Sequence, residues 1–340
     1  MTIKFNSILM KKYLFFVMLI ACCSQSYGQV IRGIIMDANT KETIPNATVY
    51  YDQTFNGTIT DKDGSFELQI FNNGSLPLVF SAIGYCSVSY TKYSASEIME
   101  IYLEPKIYNI DEVSVNAESL EKIRRRNLRI FKKQFLGTTS NAKHCEILNE
   151  KDITFNYDFE SDTIKAYAMK PIRIVNYALG YKIDYYLNKF EYFKKTASTS
   201  FRGTFIFTED LNMPGESNRS YKVNREYSYY GSRMHFIRSL YLDSLSQANY
   251  QVRNQQYDTL DVPDLIYVDT EGQRFLKNVG DILIRYDKIN RSIIRFKKDY
   301  VLIDESGYFD PDGINWTGEM GSQRMADWLP YEYKTHNNNR

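Results

Sequence analysis

From residue 29 onward, apolar and polar positions alternate with a period of two in short bursts, each closed by a turn signal. The bursts cover 29–36, 47–51, 65–70, 77–81, 86–91, 98–103 and 113–116. A period of two sends successive side chains to opposite faces, so each burst predicts a strand with one covered face. The punctuation suits hairpins: residues 37–45 with Asn39 and Pro45, Asn56-Gly57 as a two-residue turn, Asp61-Lys62-Asp63-Gly64, and Ile83-Gly84-Tyr85. Short strands at this spacing predict an antiparallel β-sandwich.

Over 118–135 the period becomes helical. Leu120, Ile123, Leu128, Phe131 and Phe135 fall near one face, and Lys122, Arg124–Arg126, Arg129, Lys132 and Lys133 crowd the rest. This basic run reads as a solvated face; the alternative is contact with phosphate, anionic lipid or an acidic partner. Leu136-Gly137 ends the helix. Strand signals then return at 153–159, 164–169, 172–177, 181–193, 201–207, 250–253, 282–287, 292–296 and 300–304. Within 181–193 the alternation slips phase, which predicts a bulge near Asn188. Met234, Ile237, Tyr241 and Leu245 predict a helix over 231–247. The second half therefore reads as β-rich α+β.

Four stretches of the first region carry a family resemblance. They are Arg32-Gly33-Ile34-Ile35-Met36-Asp37, Ile44-Pro45-Asn46-Ala47-Thr48-Val49, Gly57-Thr58-Ile59-Thr60-Asp61-Lys62-Asp63-Gly64-Ser65-Phe66, and Phe80-Ser81-Ala82-Ile83-Gly84-Tyr85. In order and spacing they resemble the carboxypeptidase-regulatory-like domain. Asn46 stands where a glycine is common, a substitution compatible with a left-handed turn. The resemblance implies a seven-stranded, transthyretin-like sandwich without catalytic machinery. In metallocarboxypeptidases the module contributes no zinc ligand. In Gram-negative bacteria it stands at the N-terminus of TonB-dependent receptors and other envelope proteins. Residues 110–115 look like the segment that leads into such a receptor's plug. A large receptor barrel needs about 22 strands, however, which about 220 further residues cannot supply.

The expected organisation is a leader over 1–28, the sandwich over 29–117, a linking basic helix over 118–139, a β-rich α+β domain over 140–335, and a polar tail over 336–340. The leader has a Lys11-Lys12 pair, an apolar run too short to span a bilayer, and small residues up to Gly28. That is the order of a secretory signal peptide, so an exported protein of a Gram-negative periplasm or outer membrane is expected. Cleavage after Gly28 gives a soluble chain. Leu19-Ile20-Ala21-Cys22 also resembles a lipobox, and acylation of Cys22 would anchor the chain. Membrane contact is expected only in that case.

The formal charge of +1 implies neither nucleic acid nor acidic lipid as partner. The 29 Tyr and 20 Phe favour half-wet sheet faces. Cys86 and Cys145 fall in separate predicted domains and read as unpaired, small apolar residues.

Little catalytic chemistry is visible. His144, His235 and His336 belong to no zinc motif, and no nucleophile elbow, phosphate loop or dinucleotide fingerprint occurs. His144 beside Cys145 and Glu146 reads as structural. Asp61, Asp63 and Gly64 begin like a calcium loop, but Ser65 and Asn72 occupy later ligand positions. These residues, with Gly57 and Gly84, are assigned to structural turns; the same holds for Asp310-Pro311-Asp312-Gly313. No cofactor or metal is expected. The function expected is non-enzymatic docking of an envelope protein or a glycan. The alternatives are an envelope hydrolase with its site in the second half, or an accessory subunit of an outer-membrane transporter.

Overall fold

A computed structural model describes residues 29–71, 76–107, 117–210 and 217–335. The leader with Cys22, the predicted strand over 113–116, the plug-like segment and the tail with His336 lie outside the described residues.

The chain is mainly β. Its first region forms two sheets from seven strands: β1 (Val30–Asp37), β2 (Thr48–Tyr51), β3 (Gly57–Ile59), β4 (Ser65–Gln69), β5 (Leu78–Ser81), β6 (Val88–Tyr90) and β7 (Ile98–Leu103). One sheet runs β4-β1-β7 and the other β3-β2-β5-β6. Alternation buries Ile31 and Ile35 of β1 against Val49, Phe66, Phe80 and Leu103. Gly33 faces Phe66 in the register, and a Cβ there would lie 2.6 Å from the Phe66 ring. The turns owe their shape to local chemistry. Asp61 Oδ1 accepts the N–H groups of Asp63 and Ser65, each at 2.9 Å, and Gly64 takes φ +73°. Asn46 takes φ 57°, as the substitution for glycine implied.

Two details differ from the sequence reading. β1 pairs with β7 in parallel, so the sandwich is antiparallel in all its pairings but this one. Asn56-Gly57 is also not a two-residue turn. Gly57 already opposes Tyr50, and Tyr51 N–H donates to Asn56 C=O at 3.0 Å, so the connection is the five-residue loop 52–56. The extra length carries backbone groups to the second half of the chain.

That half begins with α1 (Ala117–Phe135), which covers a six-stranded sheet: β8 (Cys145–Ile147), β9 (Ile153–Asp158), β10 (Thr163–Ala168), β11 (Ile172–Asn176), β12 (Tyr181–Phe193) and β13 (Ser198–Asp210). β12 is the spine, pairing β13 along one side and β11 and β10 in turn along the other. The register shifts between Leu187 and Lys189, where the phase slip placed a bulge, and again between Lys182 and Ile183. Phe131 and Phe135 fill the helix–sheet core, but Leu120 and Ile123 stay exposed. The predicted apolar face is therefore covered only in its last turns. The basic face is not wholly solvated either: Arg124 donates to the carbonyls of Ile153 and Glu150, and Lys132 pairs with Glu150 at 2.6 Å.

A further apolar cluster gathers around α3 (Arg233–Tyr241), which follows α2 (Ser217–Tyr229). The predicted helix over 231–247 stops at Tyr241, and Asp243 turns the chain with φ 52°. Beside α3 lie two sheets, β14-β17-β18-β20 and β15-β16-β19. Their strands are β14 (Tyr250–Arg253), β15 (Ile266–Val268), β16 (Arg274–Lys277), β17 (Ile282–Tyr286), β18 (Asn290–Phe296), β19 (Tyr300–Ile303) and β20 (Ile314–Thr317). Residues 325–331 then return to the first two regions, with Met325 and Leu329 entering the α1–β12 core. No helix among the described residues is long and apolar enough to cross a membrane.

Candidate functional site

The 52–56 loop is one of the sandwich's contacts with the rest of the chain, beside the Tyr50–Tyr186 stack and the Tyr50–Thr204 hydrogen bond. Gln53 N–H donates to Phe205 C=O, and Phe207 N–H to Thr54 C=O, each at 2.8 Å, so the loop lies along β13. The returning segment closes the other side. Tyr331 N–H donates to Gln53 C=O at 2.9 Å, and Glu332 Oε1 accepts from Phe55 N–H and Asn56 Nδ2. Arg238 of α3 holds this segment with three donors, placed on the carbonyls of Ser306, Tyr331 and Tyr333.

At this junction lies a cavity of about 130 Å³, walled by Asp52, Phe205, Arg233, Met234, Tyr308 and Trp328, among others. Asp52 Oδ1 accepts from Phe205 N–H at 2.8 Å, but burial outweighs that bond and raises the carboxyl to about 7. Arg233 has the opposite problem. Burial, with Arg324 nearby, lowers its guanidinium to about 10. Among the described residues its side chain donates to neutral acceptors, Gln323 Oε1 and Gln323 C=O, both at 3.4 Å, and it lies 5.0 Å from the Trp328 ring centroid. Asp327, also on the wall, is committed: its Oδ1 accepts from Thr139 at 2.8 Å and Asn141 at 3.0 Å, and burial raises its carboxyl.

A second feature faces outward. In the β15-β16-β19 sheet, Ile266, Leu276 and Val301 share the core face. Alternation therefore turns Tyr267, Phe275 and Tyr300 to the other side. Tyr267 is 43% exposed and Tyr300 53%. Their ring centroids lie 5.1 Å apart, with Phe275 at 6.2 Å from Tyr267. Lys277 stands on the same face and donates to Pro263 C=O.

Residues 31–115 match the family model of the CarboxypepD_reg-like domain. The sandwich is a carboxypeptidase-regulatory-like domain. Beyond that domain the comparisons add little. No curated protein matches the chain. A solved structure from Bacteroides fragilis, of a protein of unknown function described provisionally as membrane-associated, aligns over 85% of this chain and 94% of its own. It is 12% identical with a TM-score of 0.18, too weak a superposition to carry an argument.

Within the carboxypeptidase-regulatory-like domain, each turn residue singled out in the sequence lies apart from the cavity. Asp61 and Asp63 shape their own turn, and Gly84 takes φ +86°. Gly57 is needed for space rather than for φ: a Cβ would come within 2.7 Å of Ile206 Cδ1, so this glycine lets the domain lie against β13.

The histidines and cysteines are equally dispersed. His144 is exposed, with Nδ1 at 2.9 Å from Ser140 C=O. Cys145 Sγ donates to Asn141 C=O, and burial raises its thiol to about 12. Cys86 and Cys145 are both free thiols. His235 is buried in a ring of Tyr229, Tyr230, Tyr250 and Tyr286. Its Nδ1 accepts from Gly231 N–H at 3.1 Å, and burial, then the Arg238 charge, lower it to about 4, so it stays neutral. In the Asp310–Gly313 turn, Lys298 pairs with Asp310 and Arg202 with Asp312. Among the described residues no three His, Cys, Asp or Glu side chains converge as a metal site would require.

Sequence reasoning passed over both the cavity and the aromatic face. Nothing links Asp52 to Arg233 along the chain, and β15, β16 and β19 have only three or four residues each.

Proposed function

We propose that this is a non-catalytic protein of the bacterial cell envelope that docks a ligand on its β-rich second half, with the carboxypeptidase-regulatory-like domain as part of its rigid frame. Of the two expected ligand classes, partner protein and glycan, a glycan suits the surface better. The Tyr267–Phe275–Tyr300 face carries the reading. Its exposed rings offer apolar surface to sugar C–H faces, and the phenol groups can hydrogen-bond to hydroxyls. The leader's residue order and the domain's usual company support export to the envelope.

The test is titration calorimetry against a panel of soluble bacterial polysaccharides and their oligosaccharides. Wild-type protein should bind at least one, and Tyr267→Ala with Tyr300→Ala should abolish that binding without changing Tm. Binding that survives the double substitution would refute the assignment.

One observation favours the hydrolase alternative. A cavity carboxyl near 7, that of Asp52, is poised as a general acid would be. Against this, the cavity's other carboxylate is tied to Thr139 and Asn141, and about 130 Å³ is smaller than most small-molecule sites. Hydrolysis of envelope peptide or polysaccharide that disappears in Asp52→Asn would establish the alternative.

A further inference from the structure

We propose that the cavity at the three-way junction is a binding site for a small monocarboxylate, gripped by Arg233. This goes beyond the glycan reading and rests on different residues.

Arg233 is the first residue of α3, where the helix dipole disfavours a cation and favours an anion. No carboxylate pairs with it among the described residues. An arginine placed against the dipole, largely out of water and without a counter-charge is costly unless an anion joins it. The surroundings strengthen the demand. Arg324, whose field reaches Arg233, spends its own donors on the carbonyls of Gln134, Gly321 and Gln323. Gln323 brings Arg233 dipoles but no charge.

The cavity also limits what the anion can be. The planar fork of Arg233 fits the two oxygens of a carboxylate. A tetrahedral oxyanion such as phosphate would instead press oxygens against the apolar part of the wall. About 130 Å³ holds a molecule of acetate or lactate size rather than a sugar ring. The remaining wall, with Met234, Phe309 and Leu329, suits a short alkyl group. Asp52 completes the site: in its protonated form it offers an O–H donor instead of a repelling charge.

The experiment titrates full-length protein at pH 6 with sodium acetate, sodium lactate and, separately, inorganic phosphate, by ¹³C NMR and thermal shift. Acetate or lactate should bind saturably and raise Tm, and phosphate should do neither. Gln323→Glu supplies Arg233 with an internal carboxylate. It should leave the protein folded, raise its Tm without ligand, and weaken acetate or lactate binding by about tenfold or more. Arg233→Gln should lose binding altogether. If that variant fails to fold, Gln323→Glu and the wild-type titrations still decide. The absence of saturable binding to wild type overturns the proposal. So does phosphate binding as strong as that of the carboxylates, or unchanged binding in Gln323→Glu.

Discussion

The same residue types do opposite work in two parts of this molecule. Along one line, Phe131, Phe135, Tyr185 and Phe205, all buried, lead on to the half-buried Trp328 at the cavity wall, with centroid separations of 4.8 to 5.8 Å. On the β15-β16-β19 sheet, Tyr267, Phe275 and Tyr300 make contacts of nearly the same spacing, yet both tyrosines keep about half their surface in water. Ring-to-ring geometry is therefore no guide to role. What separates the two sets is whether another layer covers them. The buried rings gain the full burial term, whereas the exposed ones keep that area available to a ligand.

Four substitutions would sharpen or break this contrast. The largest effect is expected at Phe135. Phe135→Ala leaves a void between α1 and β12 and should cost about 3–5 kcal/mol, read from urea unfolding. A loss below 1 kcal/mol would mean that the buried series does not hold the core.

The next two test the ionisable groups within the buried region. Asp52 has a raised carboxyl, so the folded state binds more protons than the unfolded state between about pH 4 and 7. Wild type should therefore lose stability as pH rises through that window. Asp52→Asn should be more stable above pH 7, by about 4 kcal/mol, and should match wild type near pH 4. His235 tilts stability the other way. Its lowered value means that its contribution is fully present above about 6.5 and is lost as pH falls toward 4. His235→Gln should remove an acid-side slope of about 2–3 kcal/mol. In wild type these two slopes oppose each other between about pH 4 and 6.5. Unfolding curves of the single variants across that range should tilt in opposite directions, and parallel curves would contradict the assignments.

The smallest effect belongs to the exposed set. Tyr300→Ala should change stability by no more than about 0.5 kcal/mol. A larger loss would show that the face is a covered core rather than a free surface.

How much of this was legible depends on how far apart the relevant residues lie. The turns of the carboxypeptidase-regulatory-like domain could be read because each is built within a few residues, as when Asp61 folds back on Asp63 and Ser65. The bulge in β12 was readable because a phase slip is a local signal. The loop 52–56 misled because its shape answers to partners at 205, 207, 331 and 332 rather than to Asn56-Gly57. Leu120 and Ile123 misled because helical spacing predicts a face without saying how much of it meets a sheet. The cavity draws its wall from five distant stretches, so no window of sequence contains it.

The loop 52–56 also bears on how portable the N-terminal module is. A sandwich with its own apolar core reads as a part that can be detached and reused. Here, a chain shortened to begin at residue 118 would strip the acceptors from Phe205 and Phe207, leave Tyr331 without its partner, and open one wall of the cavity to water. In this chain, the inherited module has become a component that cannot be exchanged without remaking its neighbour.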